Sequence, residues 1–119
     1  GNLADIASKD YVSYCHSQGI EVWGLFSNFE NTDVDAAYVL THTSTRTTLI
    51  NQIMSAAFNY ELDGVNIDFE NITEAAYGDS YIEFIRELAI KSPHIIYEYI
   101  ISHIHQLFND GPKYRTAIL

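Results

Sequence analysis

The apolar positions of the chain recur at helical spacing in two long segments. Between residues 46 and 60 they form one stripe along a predicted amphipathic helix, for which Thr43 or Ser44 is the expected N-cap. This stripe consists of Leu49, Ile50, Ile53, Met54, Ala57 and Phe58. A second such helix is predicted from Ser80 to Ile90, since Ser80 and Glu83 have the spacing of a capping box. A polar loop is predicted between residues 71 and 79.

Two shorter helices are predicted in the first third of the chain. One covers residues 8–18, because Ser8 can cap its start and Gly19 can end it in the left-handed conformation. The other covers Val34 to Leu40. Together with the two longer helices, they leave two apolar segments that are too short to be helices of their own.

Those two segments predict strands. Ile20 to Phe26 has so few polar residues that burial on both faces is expected, as in a parallel sheet, and Val65 to Phe69 follows an Asp-Gly turn. Strands that alternate with helices predict an α/β fold with parallel strands and flanking helices. Two strands are too few for a stable parallel sheet, so we expect further strands outside residues 1–90.

The last 29 residues are open to two interpretations. Ile96, Ile100, Ile104 and Phe108 repeat every four residues, which favours a helix that Ser92 and Pro93 could start. The Ile- and Tyr-rich run at residues 94–101 is also compatible with a third strand. We predict the helix for this segment.

The second predicted strand carries acidic residues. Because side chains alternate along a strand, the apolar positions 65, 67 and 69 share one face, and Asn66, Asp68 and Glu70 share the other. Buried carboxylates without partners are costly, so this polar face is not an ordinary core face. Residues two apart in a strand lie about 6.5–7 Å apart, so one carboxylate can favour protonation of the other. Glu70 ends the strand, where parallel α/β folds place their chemistry, and a protonated carboxyl there could act as a general acid.

Composition narrows the possible functions. The formal net charge of −10 argues against binding to the phosphate backbone of a nucleic acid. Cys15 is the single cysteine, which leaves no intrachain disulfide and no cysteine-based metal site. No apolar run reaches the ~18 residues needed to span a bilayer. The sequence carries no signal for an oligomeric state.

The run DGVNIDFE at residues 63–70 resembles the D-G-x-D-x-D-x-E signature of glycoside hydrolase family 18, the chitinase-like barrels. The match covers Asp63, Gly64, Asp68 and Glu70, with Asn66 in place of the middle aspartate. The resemblance extends over residues 11–89 and looks closest to the branch that acts on bacterial spore peptidoglycan, in which Asn at that position is familiar.

The resemblance implies a partial (β/α)8 TIM barrel. Residues 20–26 and 65–69 would be its third and fourth strands, residues 1–90 would be part of the catalytic domain, and residues 91–119 would be a divergent tail. A complete barrel needs about 250 residues, and this chain has 119. The Ser-x-Gly-Gly motif that many members carry after the third strand reads LFSNF here, without the glycines.

The resemblance also implies roles for individual residues. Glu70 would protonate the glycosidic oxygen, while the 2-acetamido oxygen of the substrate attacks the anomeric carbon. Asp68 would orient that acetamido group, and Asn66 would hydrogen-bond Asp68. Ser27 and Asn28 could line the sugar site. Asp63 and Gly64 would be structural parts of the motif.

By the same resemblance, the substrate would be an N-acetylated polysaccharide, with no cofactor or metal needed, in a secreted, cell-wall or spore-associated bacterial protein. Two alternatives stay open. One is a non-catalytic carbohydrate-binding or scaffold protein on a degenerate barrel. The other is an enzyme that holds Mg²⁺ through the oxygens of Asn66, Asp68 and Glu70. His103 and His105 are two apart, but on a helix their side chains would diverge.

Overall fold

The computed structural model describes residues 8–28, 35–69, 74–91, 96–99 and 116–118 of the chain, and describes side chains at residues 8–28, 35–69 and 78–91. The helices are α1 (Lys9–Ser17), α2 (Ala36–Thr41), α3 (Thr43–Asn59) and α4 (Glu74–Lys91). The strands are β1 (Glu21–Ser27), β2 (Gly64–Asp68), β3 (Ile96–Tyr99) and β4 (Thr116–Ile118). All strand pairs are parallel, in the order β3-β2-β1-β4. The predicted α/β class with parallel strands and flanking helices is confirmed.

Local sequence signals set the ends of α1. The Ser8 hydroxyl accepts a hydrogen bond from the Tyr11 backbone N–H at 3.3 Å, which satisfies one of the free donors of the first turn. After the helix, Gly19 takes the left-handed conformation with φ of 69°, which a residue with a Cβ adopts less easily. The predicted start and end of this helix are therefore confirmed, and β1 begins two residues later.

The main core lies between the sheet and helices α2, α3 and α4. Val65 and Ile67 of β2 pack against it, and Phe84 at its centre has no solvent exposure. Burial of one such side chain contributes about 1.5–3 kcal/mol to folding. The core consists of Leu40, Ile50, Ile53, Ala57, Val65, Ile67, Tyr81, Phe84 and Leu88. Phe58, which we predicted to lie on the buried stripe of α3, is 83% exposed.

Two helix starts differ from the prediction. The N-cap of α3 is His42, without a side-chain capping bond, rather than Thr43 or Ser44. Helix α4 begins at Glu74, so Ser80 lies inside it and is not a cap. The prediction of a loop up to residue 79 was wrong because Glu and Ala are strong helix formers, and one glycine at position 78 costs only about 1 kcal/mol.

The predicted helical tail is wrong for the residues that the structure describes. Residues 96–99 form β3, which pairs with β2, and residues 116–118 form β4, which pairs with β1. The free backbone groups along both edges of the β1-β2 pair offer these segments hydrogen-bond partners, and this tertiary pairing outweighs the four-residue repeat of isoleucines. The remainder of the tail, with His103 and His105, lies outside the described residues.

An ion pair joins α3 to α4. The Arg46 guanidinium donates from Nε and one terminal nitrogen to the two Glu87 carboxylate oxygens, at 2.9 and 2.8 Å, and from the other to the Leu40 carbonyl at 2.9 Å. Arg46 is only 8% exposed. The hydrogen bonds from Arg46 hold the pKa of Glu87 below its ordinary value of 4.5, although burial opposes this shift.

We expect Glu87→Gln to lower the free energy of unfolding by about 2 kcal/mol at pH 7, because it leaves a nearly buried guanidinium with weaker partners. The folded pKa of Glu87 is lowered, so its stabilisation is complete above about pH 4.5 and is lost as the pH falls through the folded pKa. Urea unfolding between pH 3 and pH 7 measures both effects, and Glu87→Gln should weaken the acid dependence.

The matched control is Glu83→Gln on the same helix. Glu83 pairs with Arg86 at the surface, where both side chains are more than 40% exposed. Such a pair contributes about 0–1 kcal/mol. A loss in Glu83→Gln equal to that in Glu87→Gln would contradict the special weight given to the interhelical pair.

Candidate active site

The face of the sheet opposite the helices carries the predicted site residues. In the register of β1 with β2, Leu25 lies beside Asn66 and Ser27 lies beside Asp68, while Trp23 lies beside Gly64. Val22 and Phe26 of β1 pack against the helices, so the alternate residues face the other way. We call this second face, formed by Trp23, Leu25, Ser27, Asn66 and Asp68, the inner face.

Asp68 ends β2 and is half-buried. Its register partner Ser27 ends β1 and is exposed, so the two side chains share the carboxyl edge of the sheet. Asn28 follows at once and is half-buried. The parallel register thus brings together three of the predicted residues that are about 40 positions apart in sequence. Glu70, the predicted general acid, lies outside the described residues.

The aromatic residue after β2 fixes how α4 sits on this end of the sheet. The ring of Phe69 stacks on Phe84 with a centroid separation of 5.7 Å and contacts Tyr81 at 6.2 Å. Phe69 therefore packs with the apolar positions of β2 against α4, as the alternation predicts. This packing holds the chain at residue 69, directly before Glu70, against a rigid helix.

Asn66 lies one row below Asp68 on the inner face and is 9% exposed. Its side-chain Oδ1 has no hydrogen-bond partner among the described residues. An unsatisfied buried acceptor costs about 1–3 kcal/mol. This is the kind of cost that proteins retain at functional positions.

Asp63 and Gly64 lie at the amino end of β2, away from the carboxyl edge. The Asp63 Oδ2 accepts hydrogen bonds from the Val22 backbone N–H at 2.7 Å and from His16 Nε2 at 2.8 Å. The Asp63 N–H in turn donates to the Val22 carbonyl at 2.9 Å. Asp63 therefore ties α1, β1 and β2 together, and the buried Gly64 starts β2 directly beside it.

The prediction that β1 is buried on both faces was wrong at its carboxyl end. Leu25 is 42% exposed on the inner face, and Ser27 is exposed as well. Trp23, two residues earlier, is 9% exposed, and its Nε1 lies 3.4 Å from the Glu21 carboxylate. Sequence reasoning missed Leu25 as a site residue, since an apolar residue in a short strand carries no signal for exposure.

The arrangement gives the inner face one chemical character at each end. Trp23 covers the amino end, while a carboxyl, a hydroxyl and an amide group line the carboxyl end. Within the described ranges, no group of three or more His, Cys, Asp or Glu residues is placed to hold a metal ion. None of the described helices is both long and apolar enough to cross a membrane.

Comparison with known proteins gives matches among solved structures. No protein-family model matches the chain, and no curated protein matches it. A sporulation-specific glycosylase, YdhD, from Bacillus subtilis has a TM-score of 0.69 and 19% identity, over 83% of this chain and 34% of that chain. A chitinase from Bacteroides thetaiotaomicron has a TM-score of 0.67 and 18% identity, over 78% of this chain and 30% of that one.

Both likenesses are likenesses of fold, because the identities are below one residue in five. The chain spans about a third of the length of either structure. The resemblance read from DGVNIDFE is thereby confirmed at the level of the fold. The chain has the glycoside hydrolase-like fold of a partial (β/α)8 barrel.

Proposed function

We propose that the chain is part of a glycoside hydrolase that cleaves N-acetylglucosamine-containing glycans, of the peptidoglycan or chitin type, with Glu70 as the general acid. The observation that carries the proposal is the register of β1 with β2, in which Ser27 and Asp68 share the carboxyl edge one residue before the Phe69-Glu70 pair. Fold likeness to a glycosylase and a chitinase agrees with this class of reaction.

The proposed mechanism uses the substrate as its own nucleophile. Glu70 donates a proton to the glycosidic oxygen as the bond to the anomeric carbon breaks, and the 2-acetamido oxygen attacks that carbon from the opposite side. Asp68 orients the acetamido group and stabilises the positive charge of the cyclic intermediate. Water then opens the intermediate, with Glu70 as base, so the product retains its anomeric configuration.

The neighbours of Asp68 suit this role. Ser27 supplies a hydroxyl in the adjacent register position, and Asn28 lies directly after it. Asn66 is uncharged, so it can hydrogen-bond Asp68 without adding a third negative charge to the inner face. These three residues would position the sugar and Asp68, and Glu70 would carry out the proton transfer.

We expect the 119-residue chain by itself to hydrolyse such glycans little or not at all. About two thirds of a barrel are needed in addition to close a sugar site around the inner face. Release of reducing ends from chitin oligosaccharides and from peptidoglycan measures this activity. Turnover by the purified chain that disappears in Glu70→Gln would contradict the expected inactivity while supporting the role of Glu70.

A chimaera tests the catalytic proposal itself. Residues 8–91 of this chain would replace the equivalent segment of the Bacteroides thetaiotaomicron chitinase, which supplies the other strands. The proposal predicts hydrolysis of chitin oligosaccharides by the folded chimaera. A chimaera that melts cooperatively and binds the oligosaccharide but does not cleave it would contradict the proposal.

The second candidate function is non-catalytic binding of carbohydrate. The exposed Leu25 beside the polar end of the inner face favours it, because sugar-binding surfaces combine apolar and polar contacts. Binding of oligosaccharide by the chimaera that is unchanged in Glu70→Gln, without any cleavage, would favour this candidate over the hydrolase.

A further inference from the structure

Asn66 presents an acceptor that needs a donor. The residue is nine-tenths buried in the middle of β2, and its Oδ1 lacks a hydrogen-bond partner within the described part of the chain. Parallel register places Leu25 of β1 on one side of it and Glu98 of β3 on the other. Residues paired across a parallel sheet share a face, so Glu98 belongs to the same row of the inner face as Asn66.

Only one of these two neighbours can supply the donor. The Leu25 side chain has no polar hydrogen, whereas a carboxyl group has one when it is protonated. The acids that share the inner face with Glu98 are Asp68 on β2 and Glu21 on β1, and the charge on either favours the neutral form of a third. Partial burial in the row of Asn66 acts in the same direction.

We propose that Glu98 keeps its proton to higher pH than an ordinary glutamic acid and donates a hydrogen bond from its carboxyl O–H to Asn66 Oδ1. An Asn66 side chain held in this way has its amide N–H groups left to donate, and the Asp68 carboxylate two residues along is an acceptor. Glu98 is thus a positioning residue that acts on Asp68 through Asn66. The hydrogen bond follows from the sheet alone, while its bearing on catalysis rests on the proposed function.

The test is a ¹³C NMR titration of the Glu98 side-chain carboxyl in the complete 119-residue chain. We expect its midpoint at least about 1 pH unit above the ordinary glutamate value of about 4.3. In Asn66→Ala, which removes the acceptor and admits water, the midpoint should fall by about 1 unit. The exposed acid Glu83 on α4 is the internal control and should titrate identically in both proteins.

A second variant tests the same bond through stability. The folded pKa of Glu98 is raised in this proposal, so its stabilisation is present below about pH 4.3 and is lost as the pH rises through the folded pKa. Glu98→Gln donates from an amide at every pH, so this loss should be absent in that variant. Urea unfolding from pH 4 to pH 8 compares the two proteins.

A Glu98 midpoint near 4.3 in the unaltered chain, or a raised midpoint that Asn66→Ala leaves unchanged, would overturn the inference. Neither result would bear on Glu70, because the proposed hydrolysis is tested by cleavage in the chimaera and not by this titration. Loss of cleavage with an intact Glu98 shift would, conversely, remove the proposed function and leave the hydrogen bond.

Discussion

Glu70→Gln in the chitinase chimaera is expected to reduce kcat for chitin oligosaccharides by about 10²–10⁴-fold, the usual contribution of a positioned general acid. Glutamine is nearly the same size as glutamate but cannot transfer a proton to the leaving oxygen. KM should change little, since the substitution leaves the groups that bind the sugar in place. Steady-state kinetics on a soluble oligosaccharide measures both quantities.

The matched control is Glu61→Gln. Glu61 is an exposed acid in the turn before β2, near the amino end of the strand and away from the carboxyl edge. It loses the same charge and should leave kcat within about a factor of two, since the free energy of a distant exposed charge is small. Equal losses in Glu61→Gln and Glu70→Gln would point to net charge, and not to proton transfer, as the cause.

Asp63→Ala should lower the free energy of unfolding of the 119-residue chain by about 3 kcal/mol. The substitution leaves the N–H of Val22, a fully buried residue, without its acceptor at 2.7 Å and removes the contact with His16. A lost hydrogen bond to a charged group costs about 1.5–3 kcal/mol, and the orphaned buried donor adds to it. Urea unfolding at pH 7 measures the loss.

Two variants separate the parts of this effect. Asp63→Asn keeps an oxygen that can accept from Val22, so it should cost about 1 kcal/mol. His16→Ala removes a partner whose side chain is 34% exposed and should cost less than about 1 kcal/mol. A cost of His16→Ala that equals that of Asp63→Ala would place the stabilisation in the ion pair and contradict the role given to the Val22 bond.

The parts of the fold that could be predicted from sequence are those set by local chemistry. The hydroxyl of Ser8 and the left-handed Gly19 fix the ends of α1 within one turn of the chain. Strict alternation in residues 65–69 separates Val65 and Ile67, which enter the core, from Asn66 and Asp68, which do not. Period and capping act over a few residues, so a sequence reader sees them directly.

The parts that could not be predicted depend on contacts distant in sequence. Residues 96–99 form a strand because β2 offers an edge 30 residues earlier, and a local repeat of isoleucines gives no indication of that edge. Arg46 meets Glu87 across 41 positions, without any motif to announce the pair. Likewise, the register that sets Glu98 beside Asn66 is a property of the assembled sheet.

The candidate site divides in the same way. The shared edge of Ser27 and Asp68 follows from the rule that the carboxyl ends of parallel strands meet, so it could be predicted before the register was known. The exposure of Leu25 and the unsatisfied Oδ1 of Asn66 could not, since burial depends on what the rest of the chain covers.

Dependence on the leaving group tests the claim that Glu70 hands a proton to the glycosidic oxygen. The chimaera and its Glu70→Gln variant would be compared on an N-acetylglucosaminide with a sugar as leaving group and on one with a dinitrophenolate, which departs without a proton. We predict a loss of at least about 100-fold on the first substrate and less than about 10-fold on the second. Equal losses on both substrates, or no loss on the first, would contradict the role of Glu70 as general acid.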